Sequence, residues 1–187
     1  TNRNQVSMTD LATATSVAGS QAAQAGVEID KMTAATGTMI ASTKQGGEVA
    51  GRAFKAILMN LQQVSGETED GEILNKDSFK KAEKALNEVN VATEELVNGT
   101  AKLRDPMVIL KELADVYNSL PDDSSDKANI ITGLGGKHYG NQLSALLSNW
   151  KTYEKILGDY QNASGSAASE AQKTADSIEG RLNKLTN

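Results

Sequence analysis

The sequence has no cysteine, a single histidine and only two prolines, and its aromatic side chains are one Trp, two Phe and four Tyr. Without cysteine there is no disulfide, no thiolate zinc site and no cysteine nucleophile. The lone imidazole, His138, cannot pair with another around a metal, and no Ser–His–Asp triad gains support elsewhere in the chain. No run of 18 uncharged apolar residues is present, so no membrane-spanning helix is expected. Positive charge is in short supply: 19 Lys+Arg against 24 Asp+Glu leave a net charge of −5, a poor basis for specific nucleic-acid binding. The opening Thr1-Asn2-Arg3-Asn4-Gln5 is neither an initiator methionine nor a signal peptide, which leads us to expect a piece of a longer chain.

What is abundant is small. There are 24 alanines and 16 glycines, and the apolar residues recur mostly at helical spacing. The expected fold class is therefore mainly all-α, a multi-helix domain with glycine-broken helices and one short β-hairpin near 94–103. Ser7 with Asp10 three residues on forms a weak capping box before a helix over 11–24, whose inward stripe (Leu11, Ala14, Ala18, Ala22) is nearly all small. Gly26 ends it. A second helix is expected near 29–43, with Ile29, Met32, Thr36, Met39 and Ile40 on one face. Gly46-Gly47 break the chain before the clearest stripe of all, Ala50, Phe54, Ile57, Leu58, Leu61 and Val64 over 49–64.

Residues 65–75 are polar and acidic and keep no period, which reads as a loop or disordered link. The division expected on this basis is an N-terminal Ala/Gly-rich helical subdomain over 1–66, an acidic linker over 67–76, and a subdomain of helix, hairpin and helices over 77–187. Asp77 is a candidate cap for a helix through Val89. Asn98-Gly99 is the favoured pair for a two-residue hairpin turn, and it sets Val97 against Thr100, Leu96 against Ala101 and Glu95 against Lys102. Such a hairpin needs helices to lie against. Asp105-Pro106 opens the next helix, with Met107, Leu110, Leu113, Val116 and Tyr117 inward. A short helix over 126–134 and a long one over 141–162 follow, the latter carrying Leu143, Leu146, Leu147, Trp150, Tyr153, Leu157 and Tyr160. Gly165 marks a break before a last, sparsely apolar helix over 166–185. The Leu- and aromatic-rich helices are expected to form the core, and the Ala-lined ones at 9–25 and 166–185 to pack peripherally or against other copies.

The motifs that invite chemistry fail on inspection. Gly133-Leu134-Gly135-Gly136-Lys137 has Ile131 where a P-loop needs its first glycine and His138 where it needs Ser or Thr. Neither acidic stretch keeps the ligand spacing of a calcium loop: from Asp122, position six is Lys127 and position twelve is Gly133. Carboxylate pairs such as Glu69/Asp70 and Glu94/Glu95 lie in polar runs with nothing to raise a pKa. Gly47-Glu-Val-Ala-Gly51 has the small-residue spacing of a membrane helix contact, but Glu48 and Arg52 interrupt it. No catalytic, cofactor-binding or metal-binding residue is assigned, no cofactor is expected, and the chain does not read as an enzyme.

Three stretches in order resemble the core region of phage tail tape-measure proteins. They are Gly46–Lys55 running into Leu58-Met59-Asn60-Leu61, the Asn98-Gly99 hairpin with Leu103-Arg104-Asp105, and Gly135–Leu143 running into Asn149-Trp150. The positions carrying the resemblance are Gly47, Ala50, Gly51, Arg52, Asn98, Gly99, Asp105, Gly136, Lys137, Asn149 and Trp150. Gly135 departs from it, since many relatives have an aromatic residue there. The resemblance implies a virion component of a long-tailed phage or prophage that occupies the tail lumen, is assembled in the bacterial host cytoplasm and determines tail length. Its implied partners are tail-tube, distal-tail and tail-assembly chaperone proteins, with self-association in the tail. A helix rises 1.5 Å per residue, so even one unbroken helix of this length would span only ~280 Å, and the glycines forbid that. This stretch would be a compact core and not the ruler. The competing reading is a soluble α-helical protein-binding module without enzymatic activity.

Overall fold

A computed structural model describes residues 6–165, and these are mainly helical. Helix α1 (Met8–Gln24) starts where Ser7 accepts the Asp10 amide, and α2 (Ile29–Thr43) and α3 (Gly47–Leu61) follow. Strands β1 (Gly66–Glu67) and β2 (Ile73–Leu74) pair antiparallel before α4 (Lys76–Glu88). The β3 (Glu94–Val97) and β4 (Thr100–Leu103) hairpin leads into α5 (Pro106–Ser119), α6 (Ser125–Leu134) and α7 (Gly140–Ser148). A further helix, α8, covers residues 150–165.

The centre of the packing is α2. Its residues from Met32 to Ile40 are all buried, and it lies against α1, α3 and α7. The expected face of Met32, Thr36, Met39 and Ile40 is buried, but burial on every side is not legible in IDKMTAATGTMIAST, because the rest of its interior is threonine, alanine and glycine. The hydroxyls are nevertheless satisfied: Thr36 Oγ1 donates to the Met32 carbonyl at 2.9 Å and Thr38 Oγ1 to that of Ala34 at 2.7 Å. Small side chains on all sides let three helices approach one axis. One apolar cluster then extends from Ala18 to Tyr153, with Phe54, Ile57, Leu110, Leu113, Leu143 and Leu147 among its members.

The hairpin has the expected register at every pair, and Asn98 (φ 52°) and Gly99 (φ 78°) both occupy the left-handed region its turn requires. The expected fold class holds, with a second, two-residue ladder added.

Several local expectations are corrected. The acidic stretch 65–75 is ordered: Gly71 (φ 78°) turns the chain, the Thr68 amide donates to the Glu72 carbonyl at 2.8 Å, and Thr68 Oγ1 accepts from the Glu72 amide at 3.1 Å. The cap of α4 is Asn75, whose side chain accepts from Asp77 and Ser78 while its own amide donates to Ser78 Oγ. Ile29 is exposed at the entry to α2, and Tyr160 is exposed on α8. The long helix breaks at Asn149 and resumes over 150–165, and the break expected after Gly165 falls at the limit of the described residues. The β3–β4 hairpin does not lie on a helix; its residues are exposed apart from the half-buried Val97. The helix expected over 166–185 lies outside the described residues.

The largest correction concerns α1. Its alanine face is not peripheral: Ala14 and Ala18 are completely buried and Ala22 nearly so, against α3. The spacing at Gly47 and Gly51, dismissed above as a membrane motif, is what makes this possible. A Cβ on Gly47 would stand 1.9 Å from the Asp10 carbonyl oxygen, and one on Gly51 2.9 Å from both the Ala14 carbonyl oxygen and Val17 Cβ. Glu48 and Arg52 point away from the crossing and meet each other at 2.5 Å, so their charge does not interrupt it. Close approach of helices needs the small residues, not a membrane.

Candidate functional site

The resemblance positions fall into four places on the fold, and two of these are joined. Gly47 and Gly51 form the α1–α3 crossing, with the Gly47 amide donating to Asp10 Oδ1 at 3.0 Å. The Ser7 hydroxyl and that amide hold the Asp10 carboxyl below the usual carboxylate range. Ala50, one position before Gly51, is buried in the main cluster. Arg52 emerges from the same helix, one turn beyond Glu48, and reaches Asp70 at 3.3 Å as well as Glu48.

Asp70 is the link to the second place. Its other oxygen accepts the phenol hydrogen of Tyr139, which follows Gly136 and Lys137 in the α6–α7 turn. Burial, and then the Asp70 carboxylate, push the Tyr139 phenol well above its ordinary range, so it stays a neutral donor. Glu72 fastens the same turn, both its oxygens accepting from the Lys137 amide at 3.1 Å. Gly136 has φ 61°, the left-handed region that favours glycine, and the end of the Glu72 side chain closes over it, 2.6 Å from where a Cβ would stand. Lys55 bonds Glu69 at 2.5 Å; burial raises that carboxyl, but the Lys55 contact and backbone hydrogen bonding outweigh it and the net direction is down. The acidic stretch is thus a clasp between α3 and the glycine–lysine turn. Its carboxylates are Glu69, Asp70 and Glu72, and its cations are Arg52 and Lys55.

The turn itself is tight. A side chain on Gly135 would meet the Ile131 carbonyl oxygen at 2.6 Å and Gly140 Cα at 2.8 Å. An aromatic residue cannot fit here without separating α6 from α7. The Lys137 amide, which a phosphate-binding loop would leave free for its anion, is occupied by Glu72.

The other two places stand apart. Asn98 and Gly99 form the hairpin tip, and Arg104 at the base makes a two-pronged contact with Glu112 on α5 at 2.6 and 2.9 Å while also donating to the Ala92 carbonyl. The Arg104 hydrogen bonds hold the Glu112 carboxyl below its ordinary value. Asp105 caps α5 through the Met107 amide at 2.8 Å. Asn149 and Trp150 mark the α7–α8 break, where Asn149 Nδ2 donates to the Ala145 carbonyl and Trp150 is buried against Tyr153 with ring centroids 4.4 Å apart. The sequence offers Asp10 only as a capping-box residue, Asp70 only as half of a carboxylate pair in a polar run and Arg104 only within a resemblance stretch, and it gives Glu72 and Glu112 no role. A carboxylate in a polar run looks the same whether it is solvated or clasped.

Among the described residues no three His, Cys, Asp or Glu side chains converge as metal ligands. His138 is exposed beside Tyr139. The surface clefts are open and shallow; one of about 360 Å³ between α4 and α6 is lined by Lys81, Lys84, Glu88 and Asn129 among others. The arrangement supports positioning of helices and turns, and no acid–base pair or nucleophile is assembled in it.

A protein-family model described as phage-related minor tail protein matches residues 1–136, about three quarters of the chain. The chain belongs to the phage-related minor tail protein family. No solved structure matches it significantly. As a minor tail protein it has a structural role in the phage tail and is a virion tail component with tail-assembly partners. The matched span contains the α1–α3 crossing, Arg52, the acidic clasp, the hairpin and Asp105, and it ends at Gly136. Lys137, Asn149 and Trp150 lie beyond it. No helix among the described residues is long and apolar enough to cross a membrane.

Proposed function

We propose that this minor tail protein is the core region of a tail tape-measure protein, acting in tail assembly and tail-length determination, with no enzymatic activity of its own. The observation that carries the reading is the ordered set of three resemblance stretches, two of which fold onto one another through Arg52, Asp70 and Tyr139. Its partners are then tail-tube, distal-tail and chaperone proteins, its place is the tail lumen of a phage or prophage virion, and it is assembled in the host cytoplasm. A compact body of this kind supplies a folded platform, while length is set by helical chain elsewhere in the full protein.

The test is tail length. In-frame deletions placed in the full-length gene outside this region should shorten tails by about 1.5 Å for each residue removed, as seen by electron microscopy. Deleting the region itself should leave no tails. Tails of unchanged length after the outside deletions would remove the tape-measure reading and leave the minor tail family membership standing.

A further inference from the structure

The end of α3, the start of α4 and the glycine–lysine turn surround a cleft of about 430 Å³. Most polar groups in its wall are already engaged. Glu72 accepts the Lys137 amide, Asn75 and Ser78 hold each other in the α4 cap, and Thr132 Oγ1 donates to the Ala128 carbonyl at 2.9 Å. Asn60 differs. It enters the wall from α3 and is only 5% exposed. Its Nδ2 donates to the Leu134 carbonyl at 3.1 Å, which fixes the amide's orientation, since the reverse placement would set two oxygens together. That leaves Oδ1 buried with no donor among the described residues. Such an oxygen keeps its full desolvation cost, and folded proteins rarely leave one so.

Two cations in the wall are open as well. The ammonium groups of Lys81 on α4 and Lys137 in the turn belong to exposed residues and have no partner among the described residues. One carboxylate in the wall is also unpaired: Asp77, in the first turn of α4, where the helix N-terminus favours it. We propose that this cleft binds an acidic peptide segment of a tail-assembly partner. A carboxylate of that segment pairs with Lys81 and Lys137, and one of its main-chain N–H groups donates to Asn60 Oδ1. A peptide carries both groups within a residue of each other, whereas a simple anion brings acceptors to the lysines and leaves Asn60 without a donor. The exposed lysines draw the segment in, and the buried amide fixes its register. The proposal rests on membership of the tail family and not on the tape-measure reading.

The test is an NMR titration of the 187-residue chain with a capped peptide of three aspartates, set against its asparagine counterpart and inorganic phosphate at equal ionic strength. The aspartate peptide should bind saturably at millimolar concentration and shift the Asn60 side-chain amide together with the Lys137 backbone amide. The asparagine peptide should bind far more weakly, and phosphate should leave the Asn60 side chain unmoved. Lys81→Gln combined with Lys137→Gln should weaken peptide binding by about tenfold. Asp77→Asn, which removes the opposing carboxylate, should tighten it by about twofold. All three residues are exposed, so these variants keep the fold. The absence of a saturable shift, shifts centred on another surface, or an affinity indifferent to the two lysines would overturn the proposal. So would phosphate or the asparagine peptide binding as tightly as the aspartate peptide.

Discussion

At single residues the fold is decided by where a Cβ can go. Gly47 and Gly51 lie against the backbone of α1, so an added methyl has no flexible neighbour to displace. Alanine in place of helical glycine gains roughly 0.5–1 kcal/mol from backbone entropy, while overpacking costs about 1–3 kcal/mol or more. At Gly51 the balance favours net destabilisation, and at Gly47, with its 1.9 Å approach, more strongly so. Gly19 on α1 is the control: its nearest neighbour would be Thr15 Cγ2 at 3.9 Å, so Gly19→Ala should stabilise by roughly 0.5–1 kcal/mol. Urea unfolding of the three variants should show opposite signs. The glycines themselves were visible in the sequence, but their reason was not. A Gly-x-x-x-Gly spacing beside Glu48 and Arg52 says nothing about what lies opposite until Ala14 and Ala18 are placed there.

At the scale of elements, the clasp and the hairpin differ in how they are held. Glu69 and Glu112 both have carboxyls below the ordinary range in the folded chain. A depressed carboxyl contributes stability above its unfolded value, near 4.3, which is lost as pH falls through the folded value. Over that window the unfolded chain binds more protons, so stability falls with pH. Both groups are about a third exposed or more, so the loss is modest and local. Protection factors, corrected for the intrinsic pH dependence of exchange, should fall at the Thr68 and Gly71 amides as the solution is taken from pH 6 toward pH 3, ahead of those in α2. The hairpin responds to geometry instead. Gly99→Val places a β-branched residue at φ 78° and should open the turn at a cost of about 1–2 kcal/mol locally, while the global midpoint moves by less than about 0.5 kcal/mol. Its register was fully legible, because Asn-Gly and a cross-strand charge pair act over ten residues. The clasp was not, because its partners Arg52 and Tyr139 are distant in the sequence and every carboxylate in it could equally well have been solvated.

Across the whole molecule, Leu- and aromatic-rich stripes do mark the core, as the burial of Trp150 and Tyr153 illustrates. What they miss is that α1 and α2 reach the same centre through alanine, threonine and glycine, where closeness replaces side-chain bulk. Trp150→Ala should cost about 3–5 kcal/mol, and Ala18→Ser no more than about 1–2, since a helical serine can donate to the carbonyl four residues back. Ala18→Leu, which overfills the crossing, should cost about 1–3 kcal/mol. Chemical denaturation would rank them.

We propose that this minor tail protein serves as an assembly platform whose integrity rests on the α1–α3 crossing. Its most direct test is Gly47→Leu in the full-length gene, with tails counted and measured by electron microscopy. Tail production should collapse, while any tails that do form keep their normal length. Abundant tails of altered length, or of normal length at normal yield, would contradict it.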